Sequence, residues 1–220
     1  MPRIRLLFLW QRRFNPLNLL VDIICLPFIN KQVYKLEDFP QTYQDEINAI
    51  TVDCDSGKML EAMNGQLKEH NRTMLLYKWY GHNVGDAVSQ PKFHDKFKYI
   101  LTIGLSVFNK QEKTKQHFGW LRAGILVLYN IDPEIPEKGA YIIVNDARHD
   151  WKKDGRLFIF DDTTQHQSFN LTDMPRHCLF VDIVRPALLP IIITSIVKAL
   201  GSLSLAIPAV TRQSGWKRIN

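Results

Sequence analysis

The chain predicts a mainly β (α+β) fold of the jelly-roll kind, with helices ahead of it and apolar segments at its ends. Three observations carry this. Between Ile100 and Val184, short apolar and partly β-branched runs alternate with polar turns, the pattern of a sandwich or barrel. Proline and glycine punctuate those turns, most clearly in Asp132-Pro133-Glu134-Ile135-Pro136-Glu137-Lys138-Gly139. The flanks differ in character: residues 1–34 are basic and apolar, residues 35–186 carry the β-rich body, and residues 187–220 form an apolar segment with a basic tail.

In order, the N-terminus raises the question of a secretory signal. Its first apolar run, Ile4–Trp10, is interrupted by Arg5 and closed by Arg12 and Arg13, and no small-residue cleavage site follows, so a signal peptide is not expected. Leu17, Leu19, Leu20, Ile23, Ile24 and Leu26 approximate a helical stripe broken by Asp22. Flanked by arginines, this reads as an interfacial amphipathic segment, or equally as a helix packed on the core. Lys35–Pro40 forms a turn into a polar, helix-compatible stretch, residues 41–71, with Tyr43, Ile47, Ile50, Met59, Leu60 and Met63 at its apolar positions. Leu75–Tyr80 is an aromatic strand ended by Gly81, and Pro91–Tyr99 is a basic helix or loop.

From Ile100 to Phe108 an apolar strand is expected, followed by Gly124–Ile131, Ala140–Val144, Leu157–Phe160 and Cys178–Val184, with Asn145–Gly155 a polar hairpin-like stretch. Pro190–Val210 contains 21 residues, just long enough to cross a bilayer. Lys198 in its middle costs roughly 2.5–3.5 kcal/mol on insertion scales. Thr194, Ser195, Lys198 and Ser202 fall close to one helical face, which favours an interfacial or packed helix over a free span.

A length of 220 residues points to one domain with appendages, and 45% hydrophobic with 23% charged residues suffices for a sizeable core. The net charge of +6 favours anionic partners. Its basic residues cluster at the ends (Arg3, Arg5, Arg12, Arg13; Arg212, Lys217, Arg218) with no nucleic-acid-binding motif, so an anionic membrane surface is expected and nucleic acid is not. Cys25, Cys54 and Cys178 are odd in number and far apart, which argues for a reducing compartment.

The chemistry concentrates between Ser106 and Pro186. Phe160-Asp161-Asp162 leads through a polar turn to His166, and Arg176 stands ten residues later. Another histidine, His117, precedes His166 by 49 residues. Two imidazoles and an arginine in a β-rich region are what a metal and an anionic co-substrate require of one pocket. A non-haem iron site commonly adds a carboxylate; two residues after His117 that place is taken by Gly119.

His117-Phe118-Gly119, then Trp151, Gly155, Phe160-Asp161-Asp162, His166, Asn170, Arg176 and Asp182-Ile183-Val184-Arg185-Pro186 together resemble the aspartyl/asparaginyl β-hydroxylase family. Gly155 to Pro186 follows its pattern without a gap, while the Trp151–Gly155 turn holds three residues where the family usually has two. Upstream, Asp38-Phe39-Pro40 and Lys78-Trp79-Tyr80-Gly81 resemble its membrane-associated lipid A hydroxylase branch. The resemblance implies a double-stranded β-helix, Fe(II) and 2-oxoglutarate as co-substrate. It implies that His117 and His166 bind iron, that Arg176 pairs with a carboxylate of 2-oxoglutarate, and that Ser106 helps to hold it. Asp161 and Asp162 are expected to cap the turn or orient a histidine, Asn170 to stabilise a turn or face substrate, and Trp151 to sit in the core.

One departure stands out. Where the family strand after the first histidine carries an arginine and a histidine, this chain has Leu126 and Leu128, which period-two alternation keeps on one face. Arg122 is a candidate substitute from a different height. The expected function is hydroxylation of an acyl chain of a membrane lipid, lipid A-like, at the cytoplasmic face of a membrane. Peptidyl aspartyl or asparaginyl hydroxylation is an alternative, as is a membrane-associated jelly-roll module without catalysis.

Overall fold

A computed structural model of the chain describes residues 16–25, 31–52, 60–61, 64, 72–84, 90–132, 134–206 and 217–219. The arginine cluster at residues 3–13, Leu26, Cys54, Met59, Met63 and Arg212 lie outside the described residues. The architecture is two facing sheets, antiparallel except for the last strand of the larger one, which runs parallel to its neighbour, with helices on one outer surface: a jelly roll, mainly β.

In the larger sheet, β1 (Val33–Tyr34), β2 (Arg72–Trp79), β3 (His82–Asn83), β4 (Ile100–Phe108), β6 (Gly124–Asn130), β9 (Leu157–Phe160), β11 (Arg176–Val184) and β12 (Lys217–Ile219) run in the order β1-β9-β6-β11-β4-β2-β12, with β3 on β2. In the smaller sheet, β5 (Glu112–Lys113), β7 (Ala140–Val144), β8 (Ala147–Asp150) and β10 (His166–Asn170) run in the order β5-β10-β7-β8.

The larger sheet is buried on both faces, which is why β4 reads as an unbroken apolar run and is buried along its whole length. On β6, Ile125 and Val127 point to one side and Leu126 and Leu128 to the other. The first pair joins Leu105, Val107, Leu179 and Val181 in a core shared with three helices: α1 (Pro16–Ile24), α2 (Gln41–Val52) and α3 (Pro190–Ala206). The second pair joins Ile142, Val144, Trp151, Phe158 and Phe160 between the sheets. Trp151 is thus a core residue, as its sequence context indicates.

The terminal segments are part of this body. Val21 and Cys25 from the α1 region, and Ile193 and Val197 from α3, lie in the same core as the sheet. No helix among the described residues is long and apolar enough to cross a membrane. The polar stripe on α3 meets the turn after β2. Lys198 lays its aliphatic stem against Gly81, whose positive φ of 86° and missing Cβ make that approach possible. His82 Nε2 lies 3.0 Å from the Lys198 carbonyl and 3.1 Å from Ser202 Oγ, and Trp79 Nε1 donates to Ser204 Oγ at 2.8 Å. A lysine placed mid-helix for packing, rather than for a lipid interior, explains the stripe.

One buried ion pair ties the segments before and after the β-rich body together. Arg185, just past β11, pairs with Asp161 at 2.9 Å and donates to Tyr34 Oη at 3.0 Å and to the Arg122 carbonyl at 2.6 Å. Asp161 also receives Thr163 N and Oγ1 at 3.0 and 2.6 Å, the turn-capping role its position suggests. Asp161→Ala leaves Arg185 charged and buried without its carboxylate, and should cost about 3–5 kcal/mol in denaturant unfolding. Breaking the half-exposed Lys31–Asp38 pair should cost less than about 1 kcal/mol. Similar losses for both would refute the structural role given to Arg185.

Candidate active site

Between the sheets lies a cavity of about 150 Å³. His117 sits exposed at its rim, whereas His166, Ser106, Cys178 and Arg176 are buried in its wall. Local main-chain geometry brings the two histidines together. His117 N donates to the His166 carbonyl at 3.1 Å, and His166 N donates back to the His117 carbonyl at 2.8 Å. The imidazole centroids are consequently 4.2 Å apart.

Each ring is oriented the same way. His117 Nδ1 lies 2.7 Å from the Lys115 carbonyl and His166 Nδ1 lies 2.8 Å from the Thr164 carbonyl, in each case two residues earlier. A carbonyl only accepts, so Nδ1 carries a proton in both rings, which leaves Nε2 as the nitrogen for a metal to take. Burial, then the neighbouring His117, pushes the His166 pKa down to about 4. At neutral pH this imidazole is a ready donor that need not lose a proton to bind a metal.

The place of the missing acid is occupied. A Cβ built on Gly119 would lie 2.1 Å from Asp162 Oδ2, so the Asp162 carboxylate fills the space that a side chain on Gly119 would take. Gly119 N also donates to the Asp162 carbonyl at 2.7 Å, locking the two segments together. Burial, followed by Asp182 and Asp161, raises the Asp162 pKa well above the usual carboxylate range, and burial lifts Asp182 to about 6. Among the described residues no three His, Cys, Asp or Glu side chains gather closely enough to form a three-donor cluster. The donor set is therefore the imidazole pair, with Asp162 on the cavity wall beside it. That fits a two-histidine iron site of the type the resemblance implies.

Deeper in the wall, Arg176 Nη1 donates to Cys178 Sγ at 2.8 Å, and its guanidinium lies 4.8 Å from the Phe108 ring centre and 5.2 Å from that of Trp151. Its Nε has no hydrogen-bond partner, and among the described residues no carboxylate pairs with it. A buried cation left in this way favours an incoming anion. Ser106 sits opposite Cys178 on β4, its hydroxyl 3.4 Å from the Cys178 carbonyl. Leu126, Leu128, Ile142, Phe160 and Phe180 make most of the remaining wall apolar, with Thr114 and Ser168 as its other polar side chains.

The structure thus brings His117, His166, Ser106 and Arg176 to one cavity and places Leu126 and Leu128 on its wall. Arg122 does not join them: it lies outside the cavity lining, ion-paired with Asp22 of α1 and 3.9 Å from Asp161. The expectation that it faces the co-substrate is corrected by that pairing, which spends its charge on the helix. Asn170 is a structural amide, donating to the Asn109 and Met174 carbonyls at 2.9 and 2.8 Å. Sequence reasoning missed the contact between Asp162 and the Gly119 notch; glycine at the acid position was the only trace of it.

The fold is a two-sheet jelly roll with His117 at the rim and His166 in the wall of an interior cavity, and the chain can be placed more closely. Residues 41–186 match the aspartyl/asparaginyl β-hydroxylase family. The chain belongs to that family, one of Fe(II)/2-oxoglutarate hydroxylases. A relative, the ornithine lipid ester-linked acyl 2-hydroxylase of Rhizobium tropici, is 36% identical over 93 residues, 41% of this chain. That segment spans about a third (32%) of the relative's length. Partial overlaps with solved structures include a Cupin 2 conserved barrel domain protein from Salinispora arenicola (13% identity, TM-score 0.33, 50% of this chain and 79% of that one). The cupin domain of Schizosaccharomyces pombe Cnp3 overlaps similarly (12% identity, TM-score 0.32, 41% and 57%).

Two outcomes test this geometry. In the metal-free protein, NMR titration of His166 should give a midpoint near pH 4; a midpoint near the usual value of about 6.5 would mean that the ring is open to water. Gly119→Asp should weaken Fe(II) binding and stability by displacing Asp162, and Asp162→Gly in the same chain should recover both. Full tolerance of Gly119→Asp alone would refute the notch.

Proposed function

We propose that the chain is an Fe(II)/2-oxoglutarate-dependent hydroxylase acting on an acyl chain of a membrane lipid. The observation that carries the reading is one cavity with paired imidazoles, His117 at its rim and His166 in its wall, and an uncompensated guanidinium in that buried wall. His117 and His166 would hold iron through Nε2. The guanidinium of Arg176, aided by Ser106, would take the far carboxylate of 2-oxoglutarate, a pairing favoured by charge and by fork geometry. When bound with 2-oxoglutarate and O2, iron supplies the oxidation that converts a C–H bond to C–OH, with succinate and CO2 as co-products.

The remaining residues shape that pocket. Carbonyls of Lys115 and Thr164 fix both imidazole planes. Asp162 presents its carboxyl group to the cavity from the position beside Gly119. Leu126, Leu128, Ile142 and Phe180 exclude water between the metal end and the anion end, and suit the methylene portion of the co-substrate. A lipid substrate is supported by the named activity of the Rhizobium relative and by the apolar segments flanking the β-rich body. We also infer residence on the cytoplasmic face of a membrane, from the basic termini and the odd number and wide spacing of the cysteines.

A non-catalytic binding module is the second reading, favoured by Leu126 and Leu128 replacing the polar residues the family carries there. Anaerobic loading with Fe(II) followed by O2 separates the two. Conversion of 2-oxoglutarate to succinate should be abolished by His117→Ala or His166→Ala. Arg176→Met should raise the KM for 2-oxoglutarate about 10- to 100-fold, equivalent to losing roughly 1.5–3 kcal/mol of charge-assisted hydrogen bonding. Absence of turnover together with His-independent metal binding would favour the module. Mass spectrometry of host lipids with and without the gene tests the substrate: an unchanged hydroxylation pattern contradicts the lipid reading.

A further inference from the structure

Large apolar side chains stand exposed on three segments around the His117 loop, apart from isolated ones at Val52, Leu171, Met174 and Leu203. α1 exposes Leu19 and Ile23 at 57% and 56%, Trp120 is 84% exposed, and the approach to α3 exposes Leu188 and Ile191 at 71% and 72%. All three segments are fastened to the loop that follows His117. Asn18 of α1 donates to the Trp120 carbonyl at 3.3 Å and accepts from Arg122 N at 2.9 Å. Asp22 of α1 ion-pairs with Arg122. From the other side, Arg185 N donates to the Ala123 carbonyl at 2.8 Å, and Ala187 turns into the core just before the exposed Leu188.

The loop between these fastenings is the one that opens the cavity. His117 and Gly119 line the cavity, and Trp120 is the next residue. Lys113 and Lys115 stand exposed immediately before His117. In sequence, Arg3, Arg5, Arg12 and Arg13 lead directly into α1. Exposed aliphatic side chains, a tryptophan and a basic border are together the chemistry of a surface that enters the headgroup layer of an anionic bilayer. Each basic residue close to such a surface adds about 1 kcal/mol of attraction.

We propose that α1, Trp120 and the Leu188–Ile192 segment form a single membrane-docking face for bilayers containing anionic lipid, placed at the His117 side of the cavity. The proposal rests on the lipid-hydroxylase reading for the purpose of the face. On that reading, docking sets the cavity rim against the acyl region, so that a chain reaches the histidines without crossing water. The Asp22–Arg122 pair and the Asn18 contacts hold the face and the His117 loop as one unit.

The test uses the full chain with vesicles of phosphatidylcholine alone or mixed with phosphatidylglycerol. The wild type should float with the mixed vesicles, and less well with the neutral ones or at high salt. The variant Leu19→Ser/Ile23→Ser/Trp120→Ser should lose at least about tenfold in partitioning while it remains folded by circular dichroism. Leu188→Ser/Ile191→Ser, on the other fastened segment, should lose binding independently and guards against misfolding of the first variant. Wild-type failure to float, or unchanged partitioning of both variants, overturns the proposal. So does a wild-type dimer that the substitutions convert to monomer without affecting flotation, because the face would then be a contact between copies. Flotation through this face together with an unchanged hydroxylation pattern of the host lipids would leave docking standing and remove the substrate reading.

Discussion

The site depends on a reciprocal pair of main-chain hydrogen bonds between His117 and His166. These bonds join two segments separated by 49 residues in sequence. Because they are made by backbone, they fix where the side chains start and leave the imidazoles free for chemistry. Each ring is then turned by the carbonyl two residues before it, which settles the tautomer and exposes Nε2. The contact of Gly119 with Asp162 reinforces the same junction from the next residues along. A side chain at position 119 would push the two segments apart, so the absence of an acid there is structural as well as chemical.

Behind this junction the larger sheet serves two purposes at once. Its outer face holds α1, α2 and α3, and its inner face makes the cavity wall. Alternation along β6 and β11 assigns successive residues to the two tasks, so a change of side chain on the inner face alters the pocket without touching the helical core. This arrangement tolerates Leu126 and Leu128 where polar groups are usual in the family. It also permits a buried Arg176 held by two aromatic rings and a thiol rather than by a carboxylate. In the proposed function, that uncompensated charge makes the affinity for an anion large.

Much of the body was legible in the sequence because its strands are continuous apolar runs. Ile100–Phe108, Ala140–Val144 and Leu157–Phe160 coincide with β4, β7 and β9. The hairpin-like stretch after Val144 folds as the β7–β8 hairpin, but β10 was not legible: HQSFN is polar, and it turns His166, Ser168 and Asn170 inward while Phe169 stacks outward on Tyr141, 4.5 Å between ring centres. A strand that carries polar side chains to the cavity wall reverses the usual alternation and reads as a turn. His117, His166, Ser106 and Arg176 were expected from the resemblance, and the fold brings all four to one cavity. Arg122 was misplaced because residue type says nothing of an ion pair with Asp22, 100 residues earlier. The Asp162 contact was hidden for the same reason, being a meeting of loops far apart in the chain.

The proposed site is tested most directly by a crystal structure of the anaerobic complex with Fe(II) and 2-oxoglutarate. The account predicts a metal bound by Nε2 of His117 and Nε2 of His166, with a carboxylate of 2-oxoglutarate against the Arg176 guanidinium. A metal bound elsewhere, or 2-oxoglutarate lying away from Arg176, would contradict it.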